Sequence, residues 1–414
     1  MLYSVYITTI HRILRNCVDK MTPSSSQVVV AGHICLDLIP AFTAGSTVPA
    51  PGQLVQVGPA IVSTGGPVSN TGLALHHLGV PTQLMGKVGD DAFGSIVLDL
   101  VRSRSENLAQ GIIVAQGETT SYSVVLSLPS VDRSFLHCSG ANDTFCARDL
   151  KLETIAHTRL FHFGYPPLMA QMFADNGRNL MEVFQKVKSL GVTTSLDMVM
   201  VEPQSPAGQA DWSAILRKAL PHVDVFLPSI EELLVLLHEH TENQWLTHTT
   251  DDIHLQMSSL RELASRLLLW GAGIVVFKLG LHGIYMRTAG RQRLTQLGAA
   301  APADLEEWAN REIWSPIFKI DHFGGTTGAG DSAIAGFIAA LLKEQSPENT
   351  MMFACAVGAC NVEAADALSG LRTWEQTVLR IKNGWERQPQ SFDEPDWHLH
   401  PASQSWLGPL DRQP

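Results

Sequence analysis

The chain has 414 residues, of which 45% are hydrophobic and 17% charged, a balance typical of a globular protein with a large core. Its formal net charge is −11, and no basic stripe with interleaved aromatic side chains is present, so a nucleic-acid partner is not expected. No run approaches the roughly 18 apolar residues of a membrane span. The six cysteines show neither paired nor zinc-binding spacing, which is typical of free thiols in a reducing compartment.

The first residues differ in composition from the rest of the chain. Residues 1–20 carry several basic side chains among apolar ones and only one acid, Asp19, a pattern compatible with a transit segment. We therefore predict that residues 1–27 form a disordered tail or a transit segment, with Met21 as an alternative true start. The predicted location is cytoplasmic, or mitochondrial if 1–20 is a transit segment.

From Val28 onward, strand and helix patterns alternate, which predicts a mostly parallel sheet with helices on its faces. The predicted strands, in chain order, cover 28–32, 82–85, 122–128, 192–196, 223–227, 274–279, 284–286 and 317–320. Helical patterns cover 70–78, 93–104, 180–191, 231–237, 260–270, 331–344 and 351–368. We interpret 290–314 as an insertion, because it is polar with an Ala-rich piece. We interpret 388–414 as an irregular C-terminal tail, because it is rich in Pro, Trp, His and Asp and lacks periodicity.

A glycine-rich stretch, Gly324–Ser332, precedes an apolar helical pattern. Small residues let backbone N–H groups converge on an anion, and the helix dipole adds positive potential at the same point. A carboxylate at Asp331 would repel a phosphate that is merely bound, but it suits a group that takes the proton from an attacking hydroxyl. The alternative for this stretch alone is a glycine turn with Asp331 as helix cap.

A second constellation lies near the N-terminus. Gly65 and Gly66 precede a helical pattern that contains Asn70, and Asp37 follows the first predicted strand. Backbone donors, an amide and a carboxylate suit a polyol, and ligands of open parallel sheets lie at such strand ends. Taken singly, each feature is better explained as a glycine turn, a helix cap or a surface acid.

The order of these motifs resembles the PfkB-type, ribokinase-like carbohydrate kinases. The resemblance covers 28 to about 382 and is carried by Gly32…Asp37, Gly65-Gly66…Asn70, Gly86…Gly89-Asp90-Asp91…Gly94, Gly280…Gly283 and Thr326-Thr327-Gly328-Ala329-Gly330-Asp331. It implies an α/β fold with three α/β/α layers, a mostly parallel central sheet and a small β-sheet lid from about 41–61 and 119–136. The kinase domain would then span 28–387.

The resemblance also implies ATP-dependent, Mg²⁺-requiring phosphorylation of a hydroxyl group. Asp331 would be the general base, with Gly328, Ala329 and Gly330 as the anion hole. The acceptor would be held by Asp37, Gly65, Gly66 and Asn70. An Asn-x-x-Glu element is matched by Ser229 to Glu232, so Glu232 would organise the water shell of Mg²⁺, and the nucleotide would be lined by Ser229, Gly280, Gly283 and Thr327.

Departures from the family pattern narrow these expectations. Gly325 stands where an Asp usually helps to hold a monovalent cation, which argues against such a site, and Ser229 replaces the Asn of the metal element. Pro67 and Cys35 replace residues usual in ribokinases proper, so ribose is not favoured. We predict a kinase of a small sugar or sugar-like alcohol. The alternatives are a nucleoside kinase or a catalytically silent sugar- or nucleotide-binding regulator, and the exposed lid strands could pair to form a homodimer.

Overall fold

A computed structural model describes residues 26–42, 51–128, 133–238, 246–249, 252–255, 257–388 and 394–412. Nearly all of the predicted N-terminal tail, with Met21 and the candidate transit segment, lies outside the described residues, as do 43–50 and 129–132 of the predicted lid. The compartment therefore stays a prediction. Within the described residues, no helix combines the length and the apolar character needed to cross a bilayer.

Short strands alternate with helices along the described chain. The strands are β1 (Val28–Gly32), β2 (Cys35–Ala41), β3 (Gly58–Gly65), β4 (Thr82–Met85), β5 (Lys87–Gly89), β6 (Ile113–Ala115), β7 (Tyr122–Leu126), β8 (Ser134–Cys138), β9 (Leu160–Gly164), β10 (Thr193–Leu196), β11 (Val225–Phe226), β12 (Leu246–Thr249), β13 (Asp252–Leu255), β14 (Ile274–Lys278), β15 (Ile284–Thr288), β16 (Glu312–Ser315), β17 (His398–His400) and β18 (Ser405–Leu407). The helices are α1 (Pro67–His77), α2 (Ala92–Arg102), α3 (Leu152–Ile155), α4 (Ala170–Ser189), α5 (Trp212–Ala219), α6 (Ile230–Leu236), α7 (Met257–Leu269), α8 (Arg291–Leu294), α9 (Leu305–Trp308), α10 (Ala329–Leu342), α11 (Pro347–Asn361) and α12 (Trp374–Lys382).

The central sheet has the strand order β17-β18-β16-β15-β14-β11-β10-β9-β1-β4. Strands from β4 to β14 pair in parallel, and those beyond β14 pair antiparallel. Because successive side chains of a strand point to opposite faces, Val28 and Val30 join one buried cluster with α1, α10 and α11. Val29 and Ala31 join another with α4, α5 and α7. The predicted layered α/β fold is confirmed.

The lid is a four-stranded sheet of order β3-β2-β7-β8. It begins at Cys35, earlier in the chain than the predicted lid boundary near residue 41. The sequence pattern placed Asp37 at the end of β1. In the structure it lies on the next strand, β2, which belongs to the lid. Lid strand β2 follows central strand β1 in the chain, so the lid begins at the carboxyl end of β1.

Two expectations for the C-terminal third are corrected by the structure. The strand predicted at 317–320 is replaced by β16, inside the segment interpreted as an insertion. A charged residue, Glu312, concealed this strand in the sequence: its buried carboxylate accepts from Arg261 Nε and from Tyr285 OH. The predicted irregular tail contributes β17 and β18 to the sheet edge, where buried Arg311 pairs with Asp411.

Candidate active site

Asp331 contacts Tyr165 after β9 and acts through its charge on Asp37 of the lid, so it faces the cleft between the sheet and the lid. It occupies the first turn of α10 and is only 3% exposed. Its Oδ2 accepts hydrogen bonds from Asn70 Nδ2 at 2.9 Å and from Tyr165 OH at 3.0 Å, and its Oδ1 accepts one from Thr71 Oγ1 at 3.2 Å. Three donors from two elements therefore fix the orientation of this carboxylate.

The environment of Asp331 makes its carboxylate a better base than an exposed one. Burial raises the pKa of Asp331, while the Asn70 hydrogen bond, the charge of Lys278 and the Tyr165 hydrogen bond oppose this rise. Since a general base is most effective when its pKa approaches the working pH, the net upward direction suits proton removal.

A buried ion pair lies next to the glycine turn. Lys278, the last residue of β14, donates to Asp197 Oδ1 at 2.7 Å. Burial opposes its charge, but the carboxylates of Asp197 and Glu232 outweigh burial and raise the pKa of Lys278. A Cβ added at Gly330 would lie 3.6 Å from Nζ of Lys278. A permanent positive charge therefore lies beside the start of α10.

The turn before α10 places the residues predicted as an anion hole at a helix N-terminus. Gly328 is the N-cap, with φ 72°, and a Cβ there would lie 2.6 Å from that of Ala367. The N–H of Ala329 donates to the carbonyl of Thr326 at 3.2 Å, so this donor is already used within the turn. The N–H groups of Gly330 and Asp331 also belong to the first turn, where no intrahelical acceptor is available.

The glycine pair at the start of α1 makes room for two other side chains. A Cβ at Gly65 would overlap the carboxylate of Asp37, and one at Gly66 would lie 2.6 Å from the carbonyl oxygen of His33. Gly66 has φ 83° and ψ 162°, a combination that is essentially restricted to glycine. Both glycines are thus needed by the packing of the cleft wall.

Asp37 approaches the same cleft from the lid. Its Oδ1 accepts from the Cys35 thiol at 3.4 Å. Burial raises the pKa of Asp37 to about 6; hydrogen bonds from Cys35 and Ser123 oppose the rise, and the charge of Asp331 adds to it. The two carboxylates thus interact electrostatically across the cleft.

Asn70 links the two predicted parts of the site. Its Nδ2 is occupied by Asp331, whereas its buried Oδ1 has no hydrogen-bond partner among the described residues. A buried acceptor without a donor is costly, so this oxygen is suited to receive a hydrogen bond from a ligand hydroxyl.

The residues predicted for the nucleotide lie on neighbouring elements. Ser229 and Glu232 form a capping box at the start of α6, with Ser229 N donating to Glu232 Oε2 at 2.6 Å. Gly280 and Gly283 turn the chain from β14 to β15 with φ 55° and 82°. Thr327 is half-buried directly before Gly328.

A lid residue reaches this part of the cleft. Arg133, just before β8, donates to Thr326 Oγ1 in the turn that leads into α10, so the lid contacts the glycine turn directly.

Tyr165 and Lys278 were missed by reasoning from sequence. Each directly follows or ends a parallel strand, β9 and β14 respectively, which is where ligands of such sheets lie. Their position at a strand end could have marked both residues as candidate site residues. They were missed because neither belongs to a glycine motif.

Comparison with known proteins agrees with this architecture. A family model described as pfkB family carbohydrate kinase matches residues 25–374. The chain belongs to the PfkB family of carbohydrate kinases.

Three distant relatives match over nearly their whole length. Fructokinase-2 of Solanum lycopersicum is 23% identical over 372 residues, which cover 87% of this chain and 98% of that protein. The structure of Arabidopsis thaliana ribokinase complexed with ribose and ATP superposes with a TM-score of 0.65 at 19% identity, covering 87% of this chain and 99% of that chain. The nucleoside kinase of Methanocaldococcus jannaschii gives a TM-score of 0.61 at 18% identity, with coverages of 87% and 99%. At these identities the structural matches establish the fold.

Proposed function

We propose that this carbohydrate kinase transfers the γ-phosphoryl group of ATP to a hydroxyl of a small sugar or sugar-like alcohol, with Asp331 as general base. The observation that carries the proposal is the buried Asp331 carboxylate, held by three donors at the start of α10. It faces Asp37 on the lid and lies near the cation Lys278. The names of the fructokinase and ribokinase relatives support a sugar as the acceptor.

In the proposed reaction, Asp37 accepts hydrogen bonds from the acceptor's hydroxyls and Asn70 Oδ1 accepts another. The reacting hydroxyl gives its proton to Asp331 as its oxygen forms a bond to the γ-phosphorus. The bond from that phosphorus to the β,γ-bridging oxygen breaks, and ADP leaves with the bond's electron pair. Lys278 and the N–H groups of Gly330 and Asp331 offset the charge that develops on the transferred group, the main requirement of phosphoryl transfer.

The residues present fit a magnesium ion bound chiefly through water and phosphate. Burial raises the pKa of Asp197, and the charge of nearby Glu232 adds to the rise. The two carboxylates therefore lie near each other, and carboxylate oxygens suit Mg²⁺, which usually keeps several waters. Among the described residues, no group of three His, Cys, Asp or Glu side chains could hold a metal directly. Glu232 would therefore act through the water shell, and the bound ion would neutralise phosphate charge. The argument from Gly325 against a monovalent cation stays a prediction.

An ATP-consumption screen with D-fructose, D-ribose, other small sugars and nucleosides tests this function. With the acceptor that reacts, Asp331→Asn should lower kcat by about 10²- to 10⁴-fold, because it removes the base but keeps the side-chain shape. Asp304→Asn is the matched control, since Asp304 is an N-cap outside the site and Asn caps equally well.

Three results would contradict the proposal. Turnover that survives Asp331→Asn would exclude Asp331 as the base. A sugar or nucleotide that binds without turnover in the wild-type protein would instead favour a regulator on the same scaffold, and turnover of nucleosides alone would favour a nucleoside kinase.

We also propose that two copies of the chain form a homodimer through their lids. The lid's edge strands β3 and β8 carry exposed apolar side chains, Ile61 and Val62 on one and Phe135 and Leu136 on the other. Unpaired edge strands with such residues are natural pairing surfaces.

A further inference from the structure

The backbone at Tyr165 adopts a conformation that is unusual for its residue type. Tyr165 directly follows β9 and precedes Pro166, yet its φ is 62° and its ψ 42°, in the left-handed region. A residue before proline normally prefers an extended conformation, and a left-handed non-glycine residue is strained and persists only where the surroundings impose it. Such a residue calls for a reason beyond the turn itself.

The side chain supplies that reason. Glycine or asparagine would satisfy the backbone more easily than tyrosine. The turn is fixed by Leu168 N donating to the Tyr165 carbonyl at 3.0 Å, and it directs the phenol to Asp331 Oδ2 at 3.0 Å. The hydroxyl thus reaches across 166 residues of sequence to the proposed base.

The distribution of donors over Asp331 distinguishes its two oxygens. Oδ2 accepts from both Asn70 and Tyr165 at 2.9 and 3.0 Å. Within the described part of the chain, Oδ1 accepts only from Thr71, whose hydroxyl lies 3.2 Å away and is shared with the Asp331 carbonyl oxygen at 3.4 Å. Oδ1 therefore keeps more capacity to accept a further proton donor.

We propose that Tyr165 is a positioning residue that, with Asn70, holds Oδ2 of Asp331 so that Oδ1 receives the proton of the acceptor hydroxyl. This inference rests on the proposed function and adds to it a residue outside every motif of the sequence. Its contribution is to orient the carboxylate and not to contact the acceptor.

Electrostatics give the inference a distinguishing pH signature. The titratable groups that act on Asp331 are Lys278 from β14, Tyr165, Asp37 from the lid and Asp197 after β10. Burial and the nearby Asp331 raise the pKa of Tyr165 well above its usual value, so the phenol remains a donor. Its hydrogen bond stabilises the charged carboxylate and lowers the pKa of Asp331. Removing the hydroxyl should raise that pKa and move the acidic limb of kcat to higher pH.

The test is Tyr165→Phe in the full chain, assayed with ATP, Mg²⁺ and D-fructose, and with D-ribose in parallel. We expect kcat to fall about tenfold or more, as for loss of a hydrogen bond to a charged group, with the acceptor KM within about twofold if only the carboxylate's orientation is lost. The matched control is Tyr285→Phe, which removes a buried phenol that donates to the Glu312 carboxylate at 2.8 Å outside the site. That control should leave kcat and its pH profile unchanged.

A double-mutant cycle of Tyr165→Phe and Asp331→Asn, measured by the free energy of unfolding, provides a readout that needs no turnover. The inference expects the two substitutions to be non-additive. An unchanged kcat and acidic limb, or a change in KM alone, would overturn it while leaving the proposed function intact. Coupling in the cycle without turnover of any acceptor would overturn the proposed function and with it the role in proton transfer.

Discussion

Two helices begin at the cleft with a glycine N-cap of positive φ, α1 at Gly66 and α10 at Gly328, and neither has a side-chain cap. Their surroundings differ. The start of α1 is entirely buried, and the N–H of Val68 donates to the carbonyl of His33 at 3.3 Å. Residues 328–330 at the start of α10 remain half-exposed and lead to an acid in the first turn.

The difference shows that similar glycine-led turns serve two purposes. At α1, glycine allows the chain to pack closely against its neighbours, and the N–H of Val68 is satisfied within the protein. At α10, glycine leaves donors open to a ligand and places a carboxylate beside them. The two ends meet through the hydrogen bond between Asn70 and Asp331, so the packed turn supports the turn that carries the proposed base.

The largest effect on stability is expected at the packed turn. Gly66→Ala should lower the free energy of unfolding by roughly 3 kcal/mol or more, because the backbone conformation is nearly specific to glycine and the new Cβ would meet the His33 carbonyl. Denaturant unfolding measures the loss. Gly79→Ala is the matched control: Gly79 has φ 79°, but a Cβ there meets nothing within 4 Å, so only about 1 kcal/mol should be lost.

Gly328→Ala at the turn before α10 should change both stability and turnover. The free energy of unfolding should fall by about 2–4 kcal/mol, because the left-handed backbone disfavours Ala and the new Cβ would lie 2.6 Å from that of Ala367. We also expect kcat to fall more than tenfold, because the substitution shifts the backbone donors that are proposed to face the phosphate. Denaturant unfolding and steady-state kinetics measure the two effects, and an unchanged kcat would contradict the proposed difference between the two turns.

Asp37, which rests on Gly65 at the packed turn, should affect acceptor binding and stability in opposite directions. Asp37→Asn should raise the acceptor KM about tenfold. Because the pKa of Asp37 in the folded protein is about 6 against an ordinary value of 3.8, ionising the buried group above pH 6 costs at most about 3 kcal/mol. The substitution should therefore stabilise the protein at pH 7.5.

The pH dependence checks the sign of this effect. Between about pH 4 and 6 the folded protein retains a proton on Asp37 that the unfolded chain loses, so wild-type stability from this group falls as the pH rises through that window. As the pH is lowered from 6, the stability gain of Asp37→Asn should shrink, and it should vanish near pH 4. A gain that stays constant with pH would show that ionisation of Asp37 is not its source.

The smallest effect is expected at α6, a helix start at the cleft that is capped by side chains. Ser229→Asn should change the free energy of unfolding by less than about 0.5 kcal/mol, since Asn caps as well as Ser, whereas Ser229→Ala should lose about 1 kcal/mol. Thermal or denaturant unfolding compares the two. A loss for Asn as large as that for Ala would indicate that the Ser229 hydroxyl does more than cap the helix.

Much of the layered fold could be predicted from the sequence because its signals are local. The run Val28–Gly32 and the segment Thr82–Met85 are strands with the predicted bounds. The sequence pattern did not predict strand β16, because the strand contains a buried charged residue, Glu312. The charge of Glu312 is balanced by partners that are distant in sequence, such as Arg261, and periodicity cannot show such a partner.

The sequence by itself determined the α/β layers and the glycine turns and predicted Asp331 as the base, since backbone freedom and the spacing of motifs are properties of neighbouring residues. Only the tertiary structure decided that Asp37 belongs to the lid, and that Tyr165 and Lys278 converge on the start of α10. Asn70 and Asp331 are 261 residues apart. Contacts across such separations depend on how the strands are ordered in the sheet, and no local pattern encodes that order.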